Sequence, residues 1–258
     1  MKNKFALITG ASSGIGKELA KTHARNGGDL VLVARREQEL NALKEQLIQE
    51  NGVQVFTISI DLTEEGAIDY LMKFLKDHQI KIDILMNNAG FGGYGEFINR
   101  HIEIDIKMVD LNIKALIELT HAILPMMKYN KSGYILNTAS TAGFLPGPLQ
   151  ATYYATKAFV LSFSQAISCE LKNSGIYVTA LCPGPVKTEF ERVAGLEGGN
   201  LFKNALTAEL TAKRAYKAML NKKTIYISDY PIRFALRYFL PFVPRRWQAA
   251  AVYRIQKI

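Results

Sequence analysis

The run YYATK at 153–157 sets two phenols beside an ammonium group. On a helix Tyr153 stands four residues before Lys157 and Tyr154 three, so either hydroxyl can lie beside the lysine. A free phenol, with a pKa of about 10, holds its proton too tightly to exchange it readily near neutrality. An adjacent ammonium favours the phenolate and lowers that value. Such a pair suits carbonyl reduction, where an arriving hydride leaves an alkoxide that must be stabilised by a donor and then protonated. The stripe through Tyr153 and Lys157 continues to Val160, Leu161 and Ser164 and is mostly apolar, which leans towards Tyr153 as the inward-facing phenol.

A second constellation suits a dinucleotide. TGASSGIG, Thr9–Gly16, follows an apolar β-branched run and opens a helical one, so its glycines fall where the backbone turns tightly and a ligand approaches. The helix end beyond it offers unpaired N–H groups and a positive dipole end to a pyrophosphate. A turn that uses glycine only for its conformational freedom is the competing reading. Further on, VLVARRE ends in Arg35 and Arg36 where an Asp or Glu would bind the free ribose hydroxyls of NAD. Two guanidiniums suit a 2′-phosphate through charge-assisted bidentate bonds, which points to NADP. The bland alternative is a solvated arginine pair at the start of the next helix.

The elements that must carry these groups read as alternating strands and helices. Strands are expected near Phe5–Thr9, Leu30–Ala34, Val53–Ile60, Ile84–Asn87, Tyr134–Thr138, Tyr177–Leu181 and Thr224–Ile227, with helices at 15–26, 37–50, 64–78, 103–129, 151–173 and 207–220. The pattern predicts an α/β fold, a Rossmann-type doubly wound parallel sheet of about seven strands with helices on both faces. Its ligand site belongs at the carboxyl ends of the strands.

Six motifs in this order, TGASSGIG at 9–16, NNAG at 87–90, Asn112 in DLNIKA, Ser140 in NTASTAG, YYATK at 153–157 and PGPVKT at 183–188, resemble those of the classical short-chain dehydrogenases/reductases. The resemblance covers residues 4 to about 190 and leans towards the NADP-preferring, ketoacyl-reductase-like branch. The family pattern Tyr-x-x-x-Lys matches Tyr153 and Lys157, and its serine stands 13 positions before the tyrosine, as Ser140 does. The resemblance thus implies Tyr153 as the acid, Lys157 as its tuner and a ligand of the nicotinamide ribose, and Ser140 as a donor to the substrate oxygen. It makes Asn112 the holder of a water that leads to the lysine. Independently, Asn112 neighbours Met108, Leu111, Ala115, Leu116 and Leu119, and an amide on an apolar stripe needs partners; local backbone bonding is the competing reading.

Gly10, Ser12, Ser13, Gly14, Ile15 and Gly16 are thus the candidates for the pyrophosphate and Arg35 and Arg36 for the adenosine phosphate, and by the resemblance Asp61 with Leu62 meets the adenine. Asn88, Ala89 and Gly90 pack on the adenosine half, and Pro183, Gly184, Val186 and Thr188 line the nicotinamide. Asp61, in DLTEE, is also read as a helix N-cap.

Composition narrows the class. The 258 residues are 48% hydrophobic and read as a single domain, with a dinucleotide-binding and catalytic core at 1–186, a substrate lid and helix at 187–212 and a basic aromatic segment at 213–258. Cys169 and Cys182 have neither redox nor metal spacing, and His23, His78, His101 and His121 are scattered, so no metal is expected and each histidine is read as a surface residue. The N-terminus is too short in apolar residues for a signal peptide and no run reaches about 18 apolar residues, which predicts a cytoplasmic protein.

The loops 91–97, 144–150 and 189–199 are apolar or glycine-rich, which suggests a pocket for a hydrophobic carbonyl or alcohol, acyl or steroid-like, under a closing lid. Ordinary loop packing is the alternative. The net charge of +9 divides into −1 over 1–212 and +10 over 213–258, where eleven basic residues interleave with nine aromatics. Two short helices broken near Pro241 and Pro244 are expected there. That surface suits peripheral contact with an anionic membrane or an acyl carrier protein, against a reading as core or subunit interface with snorkelling arginines. No nucleic-acid motif is present. The family implies a homo-oligomer, a dimer or tetramer. The rival to an enzyme is an NADPH-binding sensor or scaffold, which would be expected to lose Ser140, Tyr153 or Lys157.

Overall fold

The computed structural model describes residues 1–197, 202 and 205–257. Strands β1 (Phe5–Thr9), β2 (Asp29–Ala34), β3 (Val55–Ser59), β4 (Ile82–Asn87), β5 (Gly133–Thr138), β6 (Ile176–Cys182) and β9 (Ile225–Ile227) form one seven-stranded sheet in the order β3-β2-β1-β4-β5-β6-β9. Every pairing is parallel. The strands are apolar at nearly every position because both faces are covered. On one face Leu19 and Ala20 of α1 (Gly14–Arg25), Leu40 and Leu43 of α2 (Glu37–Asn51), and Ala212 and Met219 of α8 (Ala208–Leu220) pack with Ile8 and Leu32. On the other, Leu71 of α3 (Ala67–Asp77), Leu119 and Ile123 of α5 (Leu116–Tyr129), and Ile167 of α6 (Ala151–Glu170) pack with Leu7 and Leu85. A minor pair, β7 (Val186–Lys187) and β8 (Leu206–Thr207), brackets the short α7 (Phe190–Val193).

The strand order reverses between β1 and β4, so the turns after these strands diverge and open a crevice at their carboxyl ends. Thr9 ties the two sides together there: its Oγ1 accepts from Asn88 N at 3.0 Å and from Ala89 N at 2.9 Å. A buried polar ladder fixes the neighbouring elements, with Asn87 Nδ2 donating to Thr120 Oγ1 and Asn137 Oδ1, and Asn137 Nδ2 donating to Ser164 Oγ. Every polar side chain in it is paired, as burial demands.

The segment read as one helix over 103–129 is α4 (Ile102–Val109), a π turn at Asp110–Ala115, and then α5. The expectation that Asp61 caps a helix fails: α3 begins only at Ala67, after Gly66 in the left-handed region, and Asp61 Oδ1 instead accepts from Thr63 N and Oγ1 at 3.0 and 2.9 Å. The surface reading of His23 also fails. It is fully buried, bonded to Tyr216 Oη at 2.8 Å and Lys4 O at 2.9 Å, and burial lowers its pKa. The tail forms α9 (Tyr230–Tyr238), a 3₁₀ turn at Leu240–Phe242 and α10 (Arg245–Gln256), broken at the expected prolines.

Candidate active site

A single cleft of about 780 Å³ runs along the carboxyl edge of the sheet from the glycine-rich turn to the C-terminal helices. Its dinucleotide-sized half is lined by Gly10, Ser12, Ser13, Gly14 and Ile15, by Arg35 and Arg36, by Asp61 and Leu62, and by Asn88, Ala89 and Gly90. Gly16 lies just behind this lining, where a Cβ would collide with the Gly10 carbonyl and the Asn88 amide, so only glycine lets the turn close on the NNAG segment. Gly10 and Gly14 have φ of 65° and 54°. This cradle of backbone at a helix N-terminus fits a pyrophosphate. Arg36 Nε and Nη2 donate to Ser12 Oγ at 3.3 and 3.2 Å, which holds the guanidinium over the turn, whereas Arg35 is 74% exposed and 3.4 Å from Asp61 Oδ2. Asp61 is held below the ordinary carboxylate range by the Thr63 hydrogen bonds and by Arg35, which together outweigh the opposing effect of burial.

The other half brings four polar side chains together from three elements. Ser140, at the end of β5, accepts from Ala142 N at 3.1 Å and donates to Pro183 O at 3.4 Å, which orients its hydroxyl. Tyr153 and Lys157 stand one turn apart on α6, with Nζ 5.8 Å from the centre of the Tyr153 ring. Lys157 Nζ donates to Thr138 O at 2.8 Å. Asn112, 1% exposed, sits in the π turn with its amide clamped on the strand end: Oδ1 accepts from Phe91 N at 3.1 Å, and Nδ2 donates to Phe91 O at 3.0 Å and Thr156 Oγ1 at 3.1 Å. Gly90 is the point of convergence, since a Cβ there would meet Asn112 Oδ1 at 2.8 Å and Lys157 Nζ at 3.3 Å. Pro183, Gly184, Val186 and Thr188 line the same half.

Burial sets the proton affinities of this group. It pushes the Tyr153 phenol well up, with the Ser140 hydroxyl pulling less strongly downwards, and it brings the Lys157 ammonium down to about 8. The expected lowering of Tyr153 by Lys157 is not found: burial governs the phenol, and the ammonium, 5.8 Å from the ring centre, donates to Thr138 O. The pair is a protonated donor beside a lysine that titrates close to neutrality.

The far end of the cleft is apolar. Phe91, Leu145, Phe190 and Leu196 line it, as the loop composition led one to expect. Of the segment at 189–199, the described part is packed rather than open: Phe190, Ala194 and Leu196 bury against Tyr94 and Phe202, while Gly198 and Gly199 lie outside the described residues. Sequence reasoning missed the wall opposite, formed by Ile232 and Leu236 of α9 and by Val252, Ile255 and Gln256 of α10. The i, i+4 spacing of Ile232 with Leu236 and of Val252 with Gln256 was the available signal. Tyr154, the second phenol, is turned towards this wall and accepts from Gln256 Nε2. The described residues hold no group of three or more potential metal ligands.

The short chain dehydrogenase family profile matches residues 4–196. An uncharacterised oxidoreductase of Staphylococcus epidermidis is 34% identical over 233 residues, 90% of this chain and 98% of that one. Among solved structures, a short-chain dehydrogenase from Sphingobium yanoikuyae in complex with NADPH is 35% identical, with a TM-score of 0.83 over 97% of this chain and 93% of the other. The bulky-bulky ketone specific alcohol dehydrogenase from Comamonas testosteroni is 31% identical, with a TM-score of 0.79 over 98% and 93%. The chain belongs to the short-chain dehydrogenase family and is an oxidoreductase of the hydride-transferring kind.

Proposed function

We propose that the protein is an NADP(H)-dependent reductase of hydrophobic carbonyl compounds, or in reverse a dehydrogenase of their secondary alcohols. The observation that carries this reading is the meeting of Ser140, Tyr153, Lys157 and Asn112 at one end of a cleft whose other end holds two arginines. Arg36, fixed over the glycine-rich turn, and Arg35 beside it supply the charge that a 2′-phosphate requires, and the NADPH-bound relative supports the same choice. Reduced dinucleotide, when bound, supplies the hydride. Tyr153 Oη holds the proton that the carbonyl oxygen takes up, and Ser140 Oγ donates to that oxygen as negative charge develops. Lys157 balances the charge left on the phenol and hydrogen-bonds the ribose. Asn112 keeps the Phe91 strand end and Thr156 in register with them. Retention of all four groups speaks for catalysis over a silent sensor.

The apolar wall of Phe91, Leu145, Leu236 and Val252 supports a bulky, hydrophobic substrate, and the bulky-ketone relative supports the same class. Exposed Ile102 and Ile106 on α4 and Phe159 on α6 support a homo-oligomer built through these helices. The test is a parallel titration with NADPH and NADH, followed by a screen of aryl, acyl and ring ketones against small hydroxy-carbonyls. Tight NADPH binding with turnover of the bulky ketones is the expected result; NADH preference or turnover confined to small polar substrates overturns it.

A further inference from the structure

The helices α9 and α10 have two faces of opposite use. Ile232, Leu236, Val252 and Gln256 turn towards the cleft. Phe234, Phe239, Phe242 and Trp247 turn outwards, Phe242 85% exposed and Phe239 and Trp247 each 62%. Phe234 packs on Tyr238 at 5.0 Å and on Phe239 at 5.7 Å between ring centres, so these three rings form a cluster, with the exposed Phe242 and Trp247 following in the chain. Clustered apolar surface of this kind marks a place of contact.

The charge around the cluster has one sign. From β9 onwards the chain carries six basic residues, Arg233, Arg237, Arg245, Arg246, Arg254 and Lys257, against one acid, Asp229. That acid is engaged as the cap of α9, its Oδ1 accepting from Ile232 N at 3.0 Å. Among the described residues no carboxylate lies within ion-pair distance of Arg233, Arg237 or Arg246. Arg233 instead lies over the Tyr230 ring at 4.4 Å, and Arg237 near that of Tyr238 at 5.7 Å. Arginine interleaved with aromatic rings on an amphipathic helix is the chemistry of an interfacial element.

We propose that this face docks on an anionic lipid bilayer, with Phe234, Phe239, Phe242 and Trp247 in the headgroup region and the arginines on lipid phosphates. A second copy of the chain does not fit, because apposing two such faces would set the unpaired arginines Arg233, Arg237 and Arg246 of one against those of the other. An acidic protein would match the charge, but rings projecting from convex helices need an apolar phase to enter, which a fluid interface provides without a preformed pocket. No described helix is long and apolar enough to span a membrane, so contact through this face is peripheral. The same two helices wall the apolar end of the cleft, so docking sets that end against the bilayer. That last consequence rests on the hydrophobic-substrate reading; the docking itself does not.

The test is sedimentation of the full chain with vesicles of phosphatidylcholine alone and of phosphatidylcholine mixed with phosphatidylglycerol, over a range of salt. Binding to the anionic vesicles alone, weakening with salt, and a blue shift of Trp247 emission are expected. Each arginine near the surface contributes roughly a fivefold factor, so Arg233→Gln/Arg237→Gln/Arg246→Gln together should lower partitioning by about 100-fold. Phe239→Ser/Phe242→Ser should lower it while leaving NADPH titration unchanged, which shows that the variant is folded. Absence from both pellets, equal binding to both vesicle types, wild-type partitioning of either variant, or capture by acyl carrier protein without vesicle binding overturns the proposal. Failure of NADPH binding or ketone turnover would leave the vesicle result standing and strike only the catalytic reading.

Discussion

Arg36 Nη2 lies 2.9 Å from Glu189 Oε2, an ion pair that joins the end of β2 to the head of α7. The guanidinium that also grips Ser12 thus has a carboxylate on the side where a 2′-phosphate would compete for it. Glu189 is held below the ordinary carboxylate range, first by its Arg36 hydrogen bond and also by Ser13, so it is charged throughout the neutral range. Arg36→Ala should weaken NADPH binding by about 10- to 100-fold, the range of a charge-assisted hydrogen bond, and leave NADH unchanged. Glu189→Gln removes the competitor at a half-exposed pair and should tighten NADPH binding by about two- to fivefold. Paired fluorescence titrations check both, and tightening for NADH as well would mean that Glu189 acts on something other than the phosphate.

On the proposed assignment of roles, Lys157 sets the pH dependence of reduction. Its pKa is brought down to about 8 by burial, whereas burial pushes Tyr153 upwards, so the lysine is the group of the pair that titrates nearer neutrality. Below about 8 the ammonium is present; above it the charge that balances the developing phenolate is lost. kcat/KM for carbonyl reduction should therefore fall as pH rises through about 8. In Lys157→Arg, whose guanidinium stays charged, the rate should be lower but the limb near 8 absent. A limb that persists in that variant assigns the titration elsewhere.

Gly90 links cofactor half and reacting half through space alone. A methyl there would stand 2.8 Å from Asn112 Oδ1, an atom already committed to Phe91 N, and 3.3 Å from Lys157 Nζ. Gly90→Ala should thus displace both side chains, at a cost of about 1–3 kcal/mol in the Asn112 hydrogen bonds. The expected readout is a fall in kcat of about 10- to 100-fold, because small misplacements at a reacting centre are costly. Thermal unfolding should move by only a few degrees. Unchanged kcat would show that Asn112 and Lys157 need not hold these positions.

The sheet was legible because its strands are buried on both faces and so read as continuous apolar runs broken by glycine-rich turns. The motif residues were legible for the same reason: strand ends place Gly10, Asn88 and Ser140 on one edge whatever the helices do. The π turn at Asp110–Ala115 was not, since one extra residue in a turn leaves the apolar stripe around Asn112 almost unaltered, although it lets the amide face both Phe91 N and O. Nor was the burial of His23, whose partner Tyr216 is 193 residues away. The tail's helices could be placed from Pro241 and Pro244, but that Val252 and Gln256 reach the cleft depends on how α10 docks, which no local pattern encodes.

The two adjacent tyrosines should separate cleanly on mutation. Tyr153 lines the cleft with Ser140 and stands one helical turn from Lys157, while Tyr154 accepts from Gln256 Nε2 at the end of α10. Tyr153→Phe removes the transferable proton and should lower kcat by about 10²- to 10⁴-fold, with NADPH binding kept. Tyr154→Phe leaves that proton in place but removes the acceptor of a buried amide whose other polar atom, Gln256 Oε1, already has no partner. The loss is about 1–3 kcal/mol in the docking of α10 against the cleft. Limited trypsin digestion at Arg245, Arg246 and Arg254 should therefore quicken in Tyr154→Phe and not in Tyr153→Phe, while kcat with a saturating ketone stays within about threefold of wild type. If Tyr154→Phe instead abolished turnover with α10 still protected, the proton would have to come from Tyr154, and the assignment of the pair would be reversed.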